Sequence, residues 1–292
     1  MRILIIGCGY LGIAVGRRLR DAGHEVFGLR RSAAGAAELL ENGIKPLTGN
    51  ILEPESLRQL PRNFAGVINT VSSSRGDASV YQQIYWEGTK NVMQYLRDSE
   101  CSRFAYTSST SVYGQQDGSW VTEDSPTAPT APTARILVAT EQELINATPP
   151  LPGAVGIFRV AGIYGPQRGH LYRQFLDGTA RIQGDGSRLI NMIHRDDAAA
   201  ALQAFMEAPA LPDGPRVYNV CDDAPVTQLE FFTWLSQQLH RPLPPTVTEA
   251  DAAPSKRGQT QKRVCNRRLR EELGWHPQYP TFRTGYAALM DA

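Results

Sequence analysis

Glycines near the start of the chain have the spacing that binds a dinucleotide. They form a G-x-G-x-x-G pattern at residues 7–12, directly after an apolar run and directly before an amphipathic helical pattern. The first glycine of such a turn permits the bend, the second lets the backbone approach a pyrophosphate, and the third lets helix and strand pack closely. The alternative is a glycine turn without a ligand. We predict that the dinucleotide contacts Gly7, Gly9, Tyr10, Leu11 and Gly12 at the positive end of the helix.

The end of the second apolar run indicates which dinucleotide binds. An acidic residue there would bind the ribose 2′-hydroxyl of NAD, but no acid occurs between Glu25 and Glu38. Arg30 and Arg31 occupy the place instead, and guanidinium groups make charge-assisted, bidentate contacts with phosphate. We therefore predict that Arg30 and Arg31 bind the 2′-phosphate of NADP(H). The alternative is that one or both are solvated loop residues.

Histidine and cysteine spacing gives no indication of a metal site. The chain has five histidines without an i, i+4 pair and four cysteines without a C-x-x-C pair. We therefore expect no bound metal and a reducing, cytoplasmic location. Cys8 lies inside the glycine turn, where we expect an inert small residue.

The elements that would position these residues alternate along the first half of the chain. Apolar runs at 3–6, 26–29, 44–47, 67–70, 104–107 and 155–158 are separated by helical patterns at 11–22, 33–42, 81–97 and 135–147. Such alternation predicts parallel βαβ units whose strands are buried on both faces. Further along we predict strands at 190–193 and 217–220, and helices at 196–207, 227–240, 267–273 and 284–290.

Composition limits the class of protein. The 292 residues are 41% hydrophobic and 20% charged, which is enough to form a core in one large or two small domains. The net charge of +1 gives no reason to expect nucleic acid or an anionic membrane as a partner. The apolar stretch at 3–15 is too short to span a bilayer.

Several motifs together resemble one enzyme superfamily. Besides the glycine turn they are Gly49-Asn50-Ile51, Gly88-Thr89-Lys90-Asn91-Val92, and the segments at 107–114, 159–166 and 193–198. The chain resembles the extended and atypical short-chain dehydrogenase/reductases, a group that includes nucleotide-sugar epimerases and dehydratases. The resemblance implies an α/β fold: a Rossmann-type, doubly wound parallel sheet with a small C-terminal substrate lobe. We place the core at 1–165 and 190–225, and the lobe at 166–189 and 226–292.

The resemblance also implies further cofactor contacts. The adenine pocket of this family matches Asn50, where relatives carry an acid, and Ile51. The contact after the fourth strand matches Val71 beside Thr70. The segment that faces the nicotinamide matches 160–163, and we assign Val160 and Ile163 to it.

The catalytic pair of the family is missing. Its reductases carry Tyr-x-x-x-Lys, in which the ammonium lowers the pKa of the phenol so that it exchanges a proton during hydride transfer. No tyrosine here has a lysine four residues later, and alignment puts Thr133 and Leu137 at the two positions. The pattern resembles the atypical branch, which keeps the dinucleotide fold without the pair.

Substitute groups come from the same region. Ser109 matches the serine that hydrogen-bonds the substrate oxygen, unless it only caps local backbone. Arg135 follows the lost tyrosine and either points a positive charge into the cleft or lies on the surface. Tyr113 is either a proton-transfer group or a packing residue. We take Ser109, Arg135 and Tyr113 as the catalytic candidates.

A run of basic residues from Lys256 to Arg270 is either a solvated face or a clamp for the phosphate of a nucleotide-linked or acidic substrate. We predict an NADP(H)-dependent oxidoreductase or epimerase-like enzyme, monomeric or homodimeric. Its substrate would be a small carbonyl, hydroxyl or sugar-type compound. The alternative, which the missing pair favours, is an NADP(H)-binding sensor or partner-binding protein without hydride chemistry.

Overall fold

A seven-stranded sheet forms the centre of the computed structural model, which describes residues 1–73, 76–248 and 260–291. The strands in chain order are β1 (Arg2–Ile6), β2 (Glu25–Arg30), β3 (Lys45–Thr48), β4 (Gly66–Asn69), β5 (Arg103–Ser109), β6 (Trp120–Val121), β7 (Ala154–Val160), β8 (Gly162–Tyr164), β9 (Ile182–Gln183), β10 (Leu189–Ile190), β11 (Met192–His194), β12 (Gly214–Val220), β13 (Val226–Thr227), β14 (Thr246–Val247) and β15 (Arg263–Val264).

The central sheet has the order β12-β7-β5-β4-β1-β2-β3, and every neighbouring pair in it is parallel. The chain runs outward from β1 to β3, then returns to β4 on the other side of β1. The parallel strands confirm the βαβ units predicted from the strand–helix alternation, and the reversal confirms the doubly wound sheet that the family resemblance implies. It also places a crevice at the carboxyl ends of β1 and β4, where such sheets bind ligands.

Helices cover the sheet in two groups. They are α1 (Tyr10–Asp21), α2 (Ala36–Glu41), α3 (Pro54–Arg58), α4 (Ala78–Tyr81), α5 (Gly88–Arg97), α6 (Pro132–Ile145), α7 (His170–Leu176), α8 (Arg195–Glu207), α9 (Gln228–Leu239), α10 (Arg267–Leu273) and α11 (Phe282–Met290). A π-helical stretch, Gln82–Glu87, joins α4 to α5. Helix α1 packs against α8, and α6 packs against α4 and the π-helical stretch.

A smaller lobe has its own apolar core. Phe231 and Phe232 of α9 are fully buried. Phe231 contacts Phe282 and Tyr286 of α11, and Phe232 stacks on Phe175 of α7. Helix α10 lies within the range predicted for the lobe, but its Leu269 packs into the core of the sheet domain instead. The lobe core therefore consists of α7, α9, α11 and the short strands around them.

The run predicted as one strand at 190–193 is two strands in different sheets. Strand β10 pairs with β13, and β11 pairs with β8. Asn191 lies between them, and its side chain donates to the Lys262 carbonyl and accepts from Val264 N–H. The side chain thus ties this break to the C-terminal segment.

A buried ion pair joins the sheet to α6 in the half of the sheet that lies away from the glycine turn. Arg159 of β7 and Glu141 of α6 are almost fully buried, with 2.7 Å between Nη2 and Oε2. Ser108 donates to the same carboxylate at 2.5 Å, and Arg159 Nη1 donates to the Tyr113 hydroxyl at 2.8 Å. Every strong polar group in this network therefore has a partner, as burial requires.

Replacing one member of this pair should destabilise the fold strongly. We expect Glu141→Ala to lower the free energy of unfolding by about 3–5 kcal/mol, because it leaves the Arg159 charge buried and unpaired. Urea denaturation followed by circular dichroism measures this. Glu143→Ala, two residues further along the same helix at a partly exposed position, should cost less than about 1 kcal/mol. Equal losses for the two variants would contradict this account.

Candidate functional site

A cleft of about 1530 Å³ lies between the carboxyl edge of the sheet and the lobe. The glycine turn, the ends of β2, β4, β5 and β7, and the segments around 168–192 and 260–262 line it. Residues predicted to contact the dinucleotide and residues of the lobe therefore line the same cavity.

Each glycine of the turn has a different reason to lack a side chain. Gly7 has φ +75°, and a Cβ there would lie 2.6 Å from Val71 Cγ2. A Cβ at Gly12 would lie 3.0 Å from Thr70 Oγ1, so this glycine sets the distance between helix and strand. A Cβ at Gly9 would meet nothing nearer than 3.8 Å. Packing therefore does not require Gly9, and its open surface fits the close approach of a dinucleotide pyrophosphate.

Neighbouring side chains hold the turn in place. Thr70 Oγ1 donates to the Gly7 carbonyl at 3.0 Å. Burial raises the pKa of the Cys8 thiol to about 12, which keeps it protonated and inert. The Tyr10 hydroxyl donates to the Pro166 carbonyl at 3.0 Å, so the first residue of α1 is tied to the segment that leads into the lobe.

Arg30 and Arg31 both line the cleft, but they are held differently. Arg30 Nε donates to the Cys8 carbonyl at 2.7 Å, and its Nη1 lies 2.8 Å from Glu38 Oε2. Arg31 is exposed at the surface of the cleft. The first guanidinium therefore braces the glycine turn and is partly neutralised, whereas the second is exposed to solvent.

The other predicted cofactor contacts also lie on the cleft wall: Leu11, Asn50, Ile51, Thr70, Val71, Val160 and Ile163. Asn50 has a local role as well, since its Oδ1 accepts from Leu52 N–H and its Nδ2 donates to Glu53. The amide thus shapes the turn before α3 at the position where the resembling family carries an acid.

The missing catalytic pair leaves an apolar wall. Leu137 lines the cleft and Thr133 is buried on the same helix. Ser109 lies at the end of β5 and lines the cleft, and its Oγ accepts from Ser111 N–H at 3.2 Å. In the part of the chain that the structure describes, its own O–H donates to no protein acceptor, so this donor is free toward the cleft.

The other two catalytic candidates are not among the residues that line the cleft. Arg135 is exposed, and its Nε donates to the Pro129 carbonyl at 3.2 Å. Tyr113 is fully buried, and its hydroxyl donates to Asn219 Oδ1 at 2.7 Å and accepts from Arg159. Burial raises the pKa of Tyr113 to about 12, so this phenol serves the buried network.

Two lobe cations on the cleft wall were not among the predicted site residues. Lys262 is 4% exposed, and Arg188 is half-buried beside Gln183. Lys262 belongs to the basic run at 256–270. The sequence does not distinguish it from the arginines of α10 in the same run, whereas the fold shows that Lys262 is buried at the cleft. Lys256 and Arg257 of that run lie outside the described residues.

The described ranges contain no helix that is both long and apolar enough to span a bilayer. Within the same ranges, His, Cys, Asp and Glu side chains nowhere gather in a group of three or more that would hold a metal ion.

Comparison with known proteins shows the family to which the chain is related. Residues 3–221 match the model of the NAD dependent epimerase/dehydratase family. The chain is 29% identical over 286 residues to Protein YeeZ of Escherichia coli (strain K12), with 96% of both chains covered.

Solved structures share the whole architecture. A functionally unknown protein from Silicibacter pomeroyi superposes with a TM-score of 0.79 at 31% identity, covering 99% of this chain and 98% of that one. The dTDP-glucose 4,6-dehydratase DesIV of Streptomyces venezuelae, as a double mutant with NAD bound, gives a TM-score of 0.84 at 22% identity. That superposition covers 98% and 95% of the two chains, and at this identity it shows the fold.

The different roles of the glycines lead to different expectations for their variants. Gly9→Ala should leave stability within about 0.5 kcal/mol but weaken dinucleotide binding at least about tenfold, because the new methyl group faces the ligand. Gly12→Ala should lower stability by about 1–3 kcal/mol, since the methyl group overpacks the contact with Thr70. Isothermal titration with NADPH and NADH, together with urea denaturation, checks both. A Gly9→Ala protein that binds both dinucleotides normally would contradict the assignment.

Proposed function

The chain belongs to the NAD-dependent epimerase/dehydratase family, and we propose that it is an NADP(H)-dependent oxidoreductase or epimerase-like enzyme. Its substrate in this proposal is a small molecule with a carbonyl or hydroxyl group. The supporting observation is the single cleft that joins the glycine turn, Ser109 and the lobe. A dinucleotide laid along the sheet edge would leave room for a second molecule against the lobe.

The preference for NADP(H) rests on the end of β2. Arg31 is exposed in the cleft, and Arg30 is fixed beside the turn by the Cys8 carbonyl and Glu38. No carboxylate is among the described residues that line the cleft, so nothing there accepts a hydrogen bond from the 2′-hydroxyl as an acid would. In this proposal the exposed guanidinium of Arg31 pairs with the ribose 2′-phosphate, and Arg30, which is partly neutralised by Glu38, adds positive charge beside it.

The chemistry of a bound nicotinamide is hydride transfer. The protein would orient the substrate beside it, since positioning alone lowers the barrier substantially. Ser109 Oγ would donate a hydrogen bond to the substrate oxygen and stabilise negative charge as it develops there. Val160 and Ile163 would shield the nicotinamide face from water, and Leu137 neither binds a ribose hydroxyl nor lowers a neighbouring pKa.

A second candidate function is an NADP(H)-binding sensor or partner-binding protein without turnover. Its specific support is the pair of residues Thr133 and Leu137, which replace the Tyr–Lys pair of the reductases. In this alternative the cleft binds the dinucleotide, and the lobe responds to its presence.

Cofactor choice is tested by charge reversal at Arg31. We expect Arg31→Glu to weaken NADPH binding about tenfold to a hundredfold, because a hydrogen bond to a charged group contributes about 1.5–3 kcal/mol, and to change NADH binding little. Isothermal titration measures both affinities. Arg58→Glu, on an exposed helix away from the cleft, is the matched control and should leave both unchanged. Equal affinity of the unmodified chain for NADPH and NADH would overturn the NADP(H) preference.

Turnover separates the two candidate functions. The chain and NADPH are mixed with a panel of carbonyl compounds, and loss of the absorbance of the reduced nicotinamide is followed. Ser109→Ala should lower an observed kcat about tenfold to a hundredfold while leaving the NADPH affinity intact. Ser102→Ala, just before the opposite end of β5, is the control. Tight NADPH binding without turnover across a broad panel would favour the sensor.

A further inference from the structure

The junction turn, residues 165–168, leads from β8 into the lobe and has a strained backbone. Gly165 and Arg168 form two backbone hydrogen bonds with each other, of 3.0 and 2.9 Å, so Pro166 and Gln167 are its two central residues. Gln167 has φ +59°, a left-handed conformation that strains a residue with a side chain. Such strain persists only where the surrounding contacts hold the backbone in place.

Tyr10 provides the contact that holds the junction turn. Its hydroxyl donates to the Pro166 carbonyl at 3.0 Å. A Cβ at Gly165 would lie 2.8 Å from the same hydroxyl oxygen, so the phenol occupies the space that a side chain there would need. The guanidinium carbons of Arg168 and Arg195 lie 5.0 and 5.1 Å from the centre of the Tyr10 ring, within cation–π range. Burial raises the pKa of Tyr10, so its hydroxyl stays protonated and donates.

The same tyrosine lies between the two ends of the predicted dinucleotide site. Tyr10 is the first residue of α1, after Gly9, and the free N–H groups at this helix end are where a pyrophosphate would bind. The predicted nicotinamide contact Ile163 belongs to β8, which ends at Tyr164 directly before the junction turn. Tyr10 therefore connects the pyrophosphate end of the site to the segment at its nicotinamide end, and the hydrogen bond spans 156 residues of chain.

The junction turn is also continuous with the core of the lobe. Tyr164, directly before it, stacks on Tyr286 of α11 with 4.5 Å between the ring centroids. Gly169, directly after it, lies so close that a Cβ there would be 2.7 Å from the Tyr286 hydroxyl oxygen. Helix α7 begins at the next residue, His170. A displacement of the junction turn would therefore change the packing of α7 and α11, both of which contribute to the lobe wall of the cleft.

We propose that Tyr10 is a positioning residue whose hydroxyl couples dinucleotide binding at the glycine turn to the position of the lobe. The proposal rests on the proposed function, since it takes the dinucleotide as the ligand of the glycine turn. A pyrophosphate that binds more tightly when the first turn of α1 is held by the junction turn must stabilise the junction turn by the same factor. The substrate half of the cleft then takes its final form only after the dinucleotide has bound.

Hydrogen exchange followed by mass spectrometry on the full chain measures this coupling. NADPH and NADH are the two probes, and titration calorimetry first establishes which of them binds. A saturating dinucleotide should slow the amide exchange of residues 163–176 at least about fivefold. Tyr10→Phe keeps the ring and removes only the hydroxyl, so the dinucleotide should still slow exchange in the glycine turn but should slow that of 163–176 less than about twofold. A general loss of stability would not separate the two segments in this way.

Tyr95→Phe is the matched control for this variant. The Tyr95 hydroxyl donates to the Pro61 carbonyl, so Tyr95→Phe also removes a bond between a phenol and a proline carbonyl. Tyr95 belongs to α5 and is not among the residues that line the cleft. The protection of residues 163–176 by the dinucleotide should therefore be the same in Tyr95→Phe as in the unmodified chain. If the two variants lose this protection equally, the proposal is wrong.

The chain without dinucleotide provides a second comparison. There Tyr10→Phe should speed the exchange of residues 163–176 about threefold to tenfold, because a strained turn loses a hydrogen bond, and Tyr95→Phe should not. Exchange that stays unchanged in Tyr10→Phe would show that the hydroxyl does not hold the junction turn, which overturns the proposal.

The outcomes distinguish this proposal from the proposed function. A chain that binds neither NADPH nor NADH would contradict the proposed function and, with it, the coupling. A chain that binds NADPH, but protects residues 163–176 equally with and without the Tyr10 hydroxyl, would overturn the coupling alone and leave the proposed function standing.

Discussion

The reversal of the chain at Gly7, pressed against Val71, is the constraint on which the cleft depends. A side chain there would enter the backbone of the segment after β4, so β1 and α1 would no longer fit against their neighbour. With the turn in place, the start of α1 and the ends of β2, β4, β5 and β7 all face one cavity. The parallel sheet therefore determines where the cleft lies, and the side chains that line the cleft determine its ligand and its chemistry.

Much of the sheet follows from the sequence because its determinants are local. Strand, glycine turn and helix succeed one another within residues 2–21, and the same rhythm continues to β7. The predicted cofactor contacts other than Gly12 line the cleft, because parallel strands end at a common edge. The lobe was less predictable, since Lys262 meets Tyr113 and Asn191 through hydrogen bonds that span 149 and 71 residues of chain.

The catalytic candidates show where local pattern is insufficient. The family resemblance suggested Ser109, Arg135 and Tyr113 as groups of one cleft, but only Ser109 lines it. Arg135 lies at an exposed position of α6, whereas its neighbours Thr133, Ala134 and Leu137 are buried. Tyr113 points inward to the Arg159 network. Whether such a side chain points into the cleft or away from it depends on its direction around a helix or turn. The periodicity of a single sequence does not resolve that direction. Where the related reductases carry a phenol and an ammonium, this cleft has an apolar helix face, and its buried charge lies across the cavity.

The Arg159–Glu141 network also has a consequence for strand alignment. Ser108, Arg159 and Asn219 belong to three adjacent strands, and each joins the same set of buried polar contacts. If β7 shifted by one residue, Arg159 would lie on the opposite face of the sheet, and the Glu141 carboxylate would be buried without its ion-pair partner. The network therefore fixes the register of β5, β7 and β12, so that Ser109 and Val160 are paired at the ends of their strands.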